Sequence, residues 1–249
     1  MISITNLTVR NRLDNINLNL DDNKFISIIG ENGSGKTTLF SSIMNFNKID
    51  SGSIKINGLD SITTSPEILS KKICILEQSN KINLKIKIPD FLKFGRYPYS
   101  KNKLTKEDED YVYKIMKKFD FDESFYDSYI TELSGGEYQR LMIALKFVQD
   151  SDIILLDEPM NNLDIRQSLK ILKLLKDRVD KDKKTVICVL HDINQIINYS
   201  DKVVVLNKGK VKYNLTKEEI LDEMVLTSIY GVKINLIKTE CSKYICSYY

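Results

Sequence analysis

Polar and apolar residues alternate along the first part of the chain. The segments Ile2-Ser-Ile4-Thr-Asn-Leu7-Thr-Val9 and Ile16-Asn-Leu18-Asn-Leu20 carry an apolar side chain at roughly every second position. Because successive side chains of a strand point to opposite faces, this period predicts half-buried antiparallel strands. Ser53–Ile56 repeats the pattern, and the Asn57-Gly58 pair after it is typical of a tight turn. The N-terminal region is therefore predicted to form a small antiparallel sheet.

A second kind of strand is predicted from nearly continuous apolar runs, which are typical of parallel sheets covered by helices on both faces. Apolar positions on one side of Ile165–Val179 predict a helix that packs on such a sheet. The turn Asn207–Lys210 lies between two apolar segments and predicts a hairpin. The apolar runs are Phe25–Ile29, Ile73–Leu76, Ile153–Leu156 and Val186–Leu190.

Between residues 80 and 149 the pattern is mostly helical. Thr105-Lys-Glu-Asp108, Ser134-Gly-Gly-Glu137 and, later, Thr216-Lys-Glu-Glu219 each resemble a capping box, the side-chain arrangement that begins many helices. We expect one domain over residues 1–249. Residues 1–79 and 150–249 are predicted to form an α/β core with the antiparallel sheet, and residues 80–149 a helical subdomain that ends in the helix after Ser134.

Composition excludes some classes of protein. The 249 residues are 42% hydrophobic and 29% charged, which is ordinary for a globular domain, and the net charge of +3 is too small to indicate a nucleic-acid partner. No apolar run approaches the ~20 residues that span a bilayer, so we expect a cytosolic protein that reaches a membrane only through a partner. The cysteines have no metal-ligand or redox spacing, and two are expected to be buried thiols, Cys74 and Cys188.

The most informative motif is Gly30-Glu-Asn-Gly-Ser-Gly-Lys36-Thr37, which matches the phosphate-binding pattern G-x-x-x-x-G-K-[ST]. It follows a predicted strand and opens a helical pattern, so backbone N–H groups and the helix dipole should create an anion site. We expect Lys36 to reach the β- and γ-phosphates and the Thr37 hydroxyl to bind Mg²⁺. A glycine-rich turn that binds nothing is disfavoured by this context. The residues expected to bind ATP are Gly30, Glu31, Asn32, Gly33, Ser34, Gly35, Lys36, Thr37 and Thr38.

Polar residues follow three further predicted strands, at the sheet edge where ligands of α/β proteins bind. Asp157 and Glu158 come directly after Leu156, and we expect Asp157 to bind the metal and Glu158 to act as the general base, because neighbouring residues at a strand end point in opposite directions. The alternative is an acidic pair facing solvent. Gln78, which follows Leu76 and Glu77, is expected to contact the metal or the attacking water. His191 is the single histidine; such residues are usually structural, but its position favours contact with the γ-phosphate.

Leu133-Ser134-Gly135-Gly136-Glu137 contains two glycines inside a capping box. Ser134 and Glu137 could simply cap the helix that follows. The glycines also leave N–H groups exposed at the positive end of that helix, which predicts a second phosphate site. The chain thus has one phosphate loop and a second helix N-terminus suited to phosphate. This combination indicates that two subunits share each ATP.

These motifs, in this order, resemble the ATP-binding subunits of ABC transporters over nearly the whole chain. The resemblance implies a P-loop NTPase core with a mainly parallel sheet, and a head-to-tail dimer with two ATP molecules at its interface. Ser134, Gly135, Gly136 and Glu137 would contact the ATP of the other subunit, and Asp164 would belong to the D-loop. It also implies permease subunits, an extracytoplasmic substrate-binding protein, and a peripheral location at the cytoplasmic face of the membrane.

A finer resemblance points to ferric siderophore importers, with haem and cobalamin importers as alternatives. It rests on Phe94-Gly-Arg-Tyr-Pro-Tyr99, Asp157–Asp164 and His191-Asp-Ile-Asn-Gln195. Another class is an ABC ATPase that acts without transport, for example in iron–sulfur cluster assembly, translation or repair; the second domain or coiled coil of the last two types is absent from this sequence. A scaffold that does not hydrolyse ATP is disfavoured by Glu158 and His191.

Two residue positions depart from the family pattern. Glu137 stands where glutamine is more frequent, and we expect it to turn back and cap its own helix. Relatives also stack adenine on an aromatic residue before the first core strand, whereas residues 7–24 contain none. Arg10 or Arg12 could stack its guanidinium plane on the base instead.

Overall fold

The computed structural model describes residues 1–77, 82–100, 103–240 and 243–248. Labels follow chain order. The strands are β1 (Ile2–Val9), β2 (Leu13–Leu20), β3 (Phe25–Ile29), β4 (Ser51–Ile56), β5 (Leu59–Asp60), β6 (Ile73–Leu76), β7 (Ile153–Leu156), β8 (Thr185–Val189), β9 (Lys202–Asn207), β10 (Lys210–Thr216), β11 (Ile234–Lys238) and β12 (Tyr244–Tyr248). The α-helices are α1 (Lys36–Ile43), α2 (Pro66–Lys72), α3 (Ile88–Lys93), α4 (Tyr97–Ser100), α5 (Lys106–Lys118), α6 (Gly135–Gln149), α7 (Ile165–Asp180), α8 (Ile193–Tyr199), α9 (Lys217–Ile220) and α10 (Glu223–Tyr230).

The central sheet has the strand order β10-β9-β3-β8-β7-β6. Its strands from β9 to β6 are parallel, and β10 returns antiparallel beside β9. Every residue of β3, β7 and β8 is buried, which explains their unbroken apolar runs. The predicted parallel sheet is confirmed, with β8 lying one residue earlier than the apolar run suggested.

The second sheet is antiparallel, with the order β2-β1-β4-β5, as the alternating pattern predicts. Its inward side chains join one hydrophobic cluster with α1 and with one face of the central sheet; Ile4 and Ile54 belong to it, as do Leu39, Phe40 and Ile187. The helix α1 is thus packed between the two sheets, which places its first residue, Lys36, at the edge where β3 ends.

The described residues between β6 and β7 form mainly helices and three short 3₁₀ turns; the turns are Phe94–Arg96, Glu123–Phe125 and Ile130–Glu132. The rings of Phe119, after α5, and Phe147, on α6, meet edge to face with centroids 4.9 Å apart. The capping boxes expected at Thr105 and Ser134 are both formed, so these helices begin where the sequence predicts. The subdomain boundaries at residues 80 and 149 stay a prediction.

The other face of the central sheet is covered by α7, α8 and the C-terminal elements α9, α10, β11 and β12. Among the helices of the described residues, none is both long and apolar enough to cross a membrane. The thiols of Cys74 and Cys188 are buried, as expected. The C-terminal hairpin β11–β12, which the apolar pattern did not predict, packs beside α8.

Candidate functional site

Residues 30–35 form the loop that joins β3 to α1. Gly35 caps α1 with a φ of 107°, a left-handed backbone that residues with a Cβ rarely adopt. At Gly30 a Cβ would lie 2.3 Å from the carbonyl oxygen of Leu206, so the loop backbone packs directly against β9. The glycines are therefore required by the path of the main chain as well as by any ligand.

Lys36 lies at the start of α1 and is 6% exposed. Its Nζ donates to the carbonyl oxygens of Gly30 at 2.8 Å and Glu31 at 3.0 Å, so the ammonium group is held across the loop. Both acceptors are neutral, and no carboxylate of the described residues forms an ion pair with Lys36. The ammonium therefore offers its charge to an anion at the loop, where the dipole of α1 acts in the same direction.

Asp157 follows β7 and meets the first turn of α1. Its Oδ2 accepts a hydrogen bond from the Thr37 hydroxyl at 2.7 Å, while its Oδ1 is buried without a hydrogen-bond partner in the described residues. Burial raises the pKa of this carboxyl despite the contact with Thr37. A hydroxyl and an unpartnered carboxylate oxygen form the kind of oxygen-donor pair that Mg²⁺ prefers.

Glu158 lies beside Asp157 but contacts different residues. Its Oε1 is 2.8 Å from Nε2 of His191, and its Oε2 accepts from Nδ2 of Asn161 at 2.7 Å. Burial acts to raise the pKa of Glu158, but the hydrogen bonds from His191 and Asn161 outweigh it and the pKa is lowered. The carboxylate is thus ionised at neutral pH and held beside the single imidazole, with His191 half exposed.

Ser134 and Glu137 cap α6 reciprocally. The Ser134 Oγ accepts from the Glu137 amide at 3.3 Å, and the Glu137 Oε2 accepts from the Ser134 amide at 2.9 Å. Hydrogen bonds to its carboxylate from the Ser134 side chain and from the Ser134 amide lower the pKa of Glu137. Glu137 thus turns back on its own helix, as the sequence predicts.

The start of α6 also packs on the segment after Glu158. A Cβ at Gly136 would lie 3.0 Å from the carbonyl oxygen of Asn162, and Nε2 of Gln139 donates to the carbonyl oxygen of Pro159 at 3.0 Å. Asp164 caps α7 by accepting from the Gln167 amide at 2.8 Å. In the described ranges, no hydrogen bond or ion pair joins residues 134–137 to residues 30–38.

Residues 13–161 match the family described as ABC transporter. The match covers more than half of the chain and includes the phosphate loop, the helix start at Ser134 and the Asp157–Glu158 pair. The chain belongs to the ABC transporter family.

Curated relatives and solved structures agree with this assignment. The petrobactin import ATP-binding protein of Bacillus subtilis (strain 168) is 40% identical over 222 residues, which cover 89% of this chain and 88% of that protein. An ATP-binding cassette solved as a dimer in a post-hydrolysis state, with ADP and phosphate bound, superposes with a TM-score of 0.78 at 28% identity and covers 87% of this chain and 99% of its own. This chain is therefore an ATP-binding cassette and an ATPase.

A third neighbour is a chain of an ABC transporter described as metal-chelate type, in an inward-facing conformation. It has a TM-score of 0.81 at 21% identity and covers 100% of this chain and 96% of its own. At this identity the likeness shows the cassette fold alone, which agrees with the fold expected from the sequence.

Most site residues expected from the sequence lie in described parts of the cassette; Gln78 lies outside them. The reason given for the separate roles of Asp157 and Glu158 is corrected by the structure. The strand β7 ends at Leu156, and Glu158 has a φ of 51°, so a left-handed turn rather than strand alternation sends the two carboxylates to different partners.

Two residues of the site were not predicted from the sequence. Asn161, which hydrogen-bonds Glu158, was given no role, although its place three residues after Glu158 in a tight turn is a signal for such a hydrogen bond. Tyr230 of α10 lines a cavity of about 250 Å³ together with Gly30, Glu31 and His191. It lies nearly forty positions from His191, and no local pattern in the sequence predicts that the two residues line one cavity.

The candidate base-stacking residues differ in position. Both Arg10 and Arg12 are exposed. The carbonyl oxygen of Arg12 lies against Gly35, where a Cβ would approach it to 3.1 Å, whereas the Arg10 amide is tied to Asp50 at 2.7 Å. Arg12 is therefore the residue of the two whose backbone borders the phosphate loop.

Proposed function

We propose that this cassette is the ATPase subunit of an importer of ferric siderophores and that it works as a head-to-tail dimer on a membrane permease. The observation that carries the catalytic part is the convergence of Lys36, the Thr37–Asp157 pair and the Glu158–His191 pair at one edge of the sheet. The cargo is inferred from the petrobactin import relative.

Binding of the triphosphate is assigned to residues 30–38. Backbone N–H groups of the loop and the N-terminus of α1 face the phosphates, and Lys36 exchanges its bonds to the Gly30 and Glu31 carbonyls for charge-assisted bonds to phosphate oxygens. This exchange needs no large movement, because the ammonium already lies across the loop.

The metal is assigned to Thr37 and Asp157. The buried Oδ1 of Asp157 has no partner in the described residues, so a cation there satisfies an atom whose burial is otherwise unfavourable. When bound, Mg²⁺ neutralises charge that develops on the β- and γ-phosphate oxygens. Gln78 is proposed as a further ligand from its sequence position alone.

Glu158 is assigned as the general base. Its carboxylate accepts a proton from the attacking water while the Asn161 amide and the His191 imidazole fix its direction. His191 lines a cavity with Gly30 and Glu31, a position from which it can also contact the γ-phosphate. The two residues thus share the task of orienting the water.

A second copy is needed to complete each site. Ser134 caps a helix whose first glycines leave N–H groups for an anion, but these residues have no hydrogen bond to the phosphate loop of the same subunit in the described ranges. A head-to-tail partner would place the helix start on the opposite ATP, with Asp164 and its neighbours at the interface. The dimeric relative with ADP and phosphate supports this arrangement.

The permease is assigned to an apolar groove between α1, α2 and β6. Its rim carries Phe46 and Ile62, which are 59% and 51% exposed, and its floor contains Cys74 and Ile75, just before the residues that lead to Gln78. Apolar side chains at such exposure are typical of protein contacts. A membrane subunit seated here would connect transport to the site and would hold the cassette at the cytoplasmic face.

The experiment that tests the function is uptake of ⁵⁵Fe-siderophore by cells that lack their own copy of this chain. We expect the wild-type gene to restore uptake, and the Glu158→Gln gene, made in equal amount, not to restore it. Restored uptake of haem or cobalamin with no siderophore uptake would assign the alternative cargo. A purified chain that hydrolyses ATP but co-purifies with no permease from solubilised membranes would favour an ATPase that acts without transport.

A further inference from the structure

The C-terminal strand β12 is bonded on both of its edges, but only one neighbour is a strand. On the other edge, the Oδ1 of Asn194 accepts from the Cys246 amide at 2.7 Å. The Oδ1 of Asn198 accepts from the Tyr244 amide at 2.9 Å, and its Nδ2 donates to the Tyr244 carbonyl oxygen at 2.8 Å. Two side chains of α8 thus take the place of a third strand.

The spacing of the two elements makes this possible. Residues four apart on a helix are separated by a rise of about 6 Å, and residues two apart on a strand by about 6.6 Å. Asn194 and Asn198 therefore meet Cys246 and Tyr244 in antiparallel order. Because each amide pairs with one backbone position, the contact fixes the register of the hairpin along α8 as well as its distance.

The helix α8 begins at Ile193, two residues after His191. Asp192 caps it by accepting from the amides of Asn194 at 2.8 Å and Gln195 at 3.4 Å. Asn194 is therefore tied through its backbone to the neighbour of His191 and through its side chain to β12. The side chain of His191 is 49% exposed, so burial contributes less to its orientation than it does for Asp157.

A second part of the C-terminal segment shares cavities with His191. Tyr230, the last residue of α10, lines two cavities that His191 lines as well, one beside the phosphate loop and one of about 400 Å³ that reaches Tyr248. The C-terminal segment thus borders the cavities beside His191 as well as packing on α8.

We propose that α10 and the strands β11 and β12 brace α8 and thereby position His191 against Glu158. Asn194 and Asn198 are positioning residues in this proposal, since their side chains act through the backbone of β12. It rests on the proposed role of His191 in hydrolysis. A shift of about 1 Å in a catalytic group can reduce a rate by up to about a hundredfold, so loosening this contact should affect turnover more than binding.

The test compares the purified variants Asn194→Ala, Asn198→Ala and Asn194→Asp. We expect each alanine variant to lower kcat for ATP about tenfold at an unchanged KM. Asn194→Asp should recover most of the rate, because among the described residues the side chain of Asn194 hydrogen-bonds only through its Oδ1, which accepts from Cys246. Asn17→Ala is the matched control, since the Oδ1 of Asn17 also accepts from a backbone amide, at 3.0 Å, but in the N-terminal sheet.

Hydrogen exchange gives a readout that does not depend on hydrolysis. Amides of residues 191–199 should exchange faster in both alanine variants and at the wild-type rate in Asn17→Ala. Unchanged kcat and unchanged exchange in Asn194→Ala and Asn198→Ala, or an equal fall of kcat in Asn17→Ala, would overturn the brace. A wild-type chain without ATPase activity would refute the proposed function. The exchange rates of residues 191–199 would still show whether the C-terminal strands brace α8.

Discussion

Replacing Glu158 by glutamine isolates its role as a base. The side chain keeps its size, and its amide oxygen can still accept from His191, while Asn161 can turn its own amide oxygen toward the new NH₂ group. What is lost is the carboxylate that takes the proton from water. The fold and the nucleotide contacts of residues 30–38 are left in place.

The expected magnitude follows from the number of contacts changed. One charge-bearing group at the transition state is removed, and such losses lower turnover by about 10²–10³, or roughly 2.7–4 kcal/mol. ATP affinity should stay close to the wild-type value, since Lys36, Thr37 and the loop are unaltered.

The assay measures phosphate release at saturating ATP, together with ATP binding by calorimetry. Glu219→Gln is the matched control, because it makes the same chemical change at a carboxylate that caps α9, and glutamine can fill that role in a capping box. Near-normal hydrolysis by Glu158→Gln, or an equal loss in Glu219→Gln, would show that Glu158 is not the base.

Three further outcomes are expected. Lys36→Ala should lose charge-assisted bonds of about 1.5–3 kcal/mol each and raise the Kd for ATP at least about tenfold by calorimetry; an unchanged Kd would contradict the phosphate-loop role. Arg96→Met breaks the 2.8 Å pair with Asp108, and urea unfolding should show a loss of about 3 kcal/mol, whereas a loss near zero would show that the pair is not important for stability. Ile187→Ala, in fully buried β8, should cost about 2–5 kcal/mol in the same assay, against less than about 0.5 kcal/mol for Ile165→Ala at 82% exposure; equal losses would refute the packing argument.

The sequence predicts the central sheet and the start of the main helices because both are encoded locally. Apolar runs such as Ile153–Leu156 have to be buried on both faces. The capping box at Ser134 marks the residue at which the helix α6 begins. Since parallel strands carry their loops to one edge, the meeting of Lys36, Asp157 and His191 could be anticipated before any contact was seen.

Other features depend on distant parts of the chain and left no local signal. The strands β11 and β12 are short, and the β12 edge is bonded by side chains of α8 that lie about fifty positions earlier. The left-handed backbone of Glu158 is held by its surroundings, since a non-glycine residue seldom adopts it unaided.

The contact between Gly136 and Asn162 has a consequence for how two nucleotides communicate. In the proposed dimer, Glu158 acts on one ATP, and the start of α6 in the same chain contacts the other ATP. The turn after Glu158 and the start of α6 are joined by the hydrogen bond from Gln139 to the Pro159 carbonyl oxygen. A shift of the Glu158 turn would therefore also displace the start of α6, which faces the opposite nucleotide, within one polypeptide. ATP hydrolysis at the two sites should therefore be coupled within the cassette dimer itself, without involving the membrane subunits.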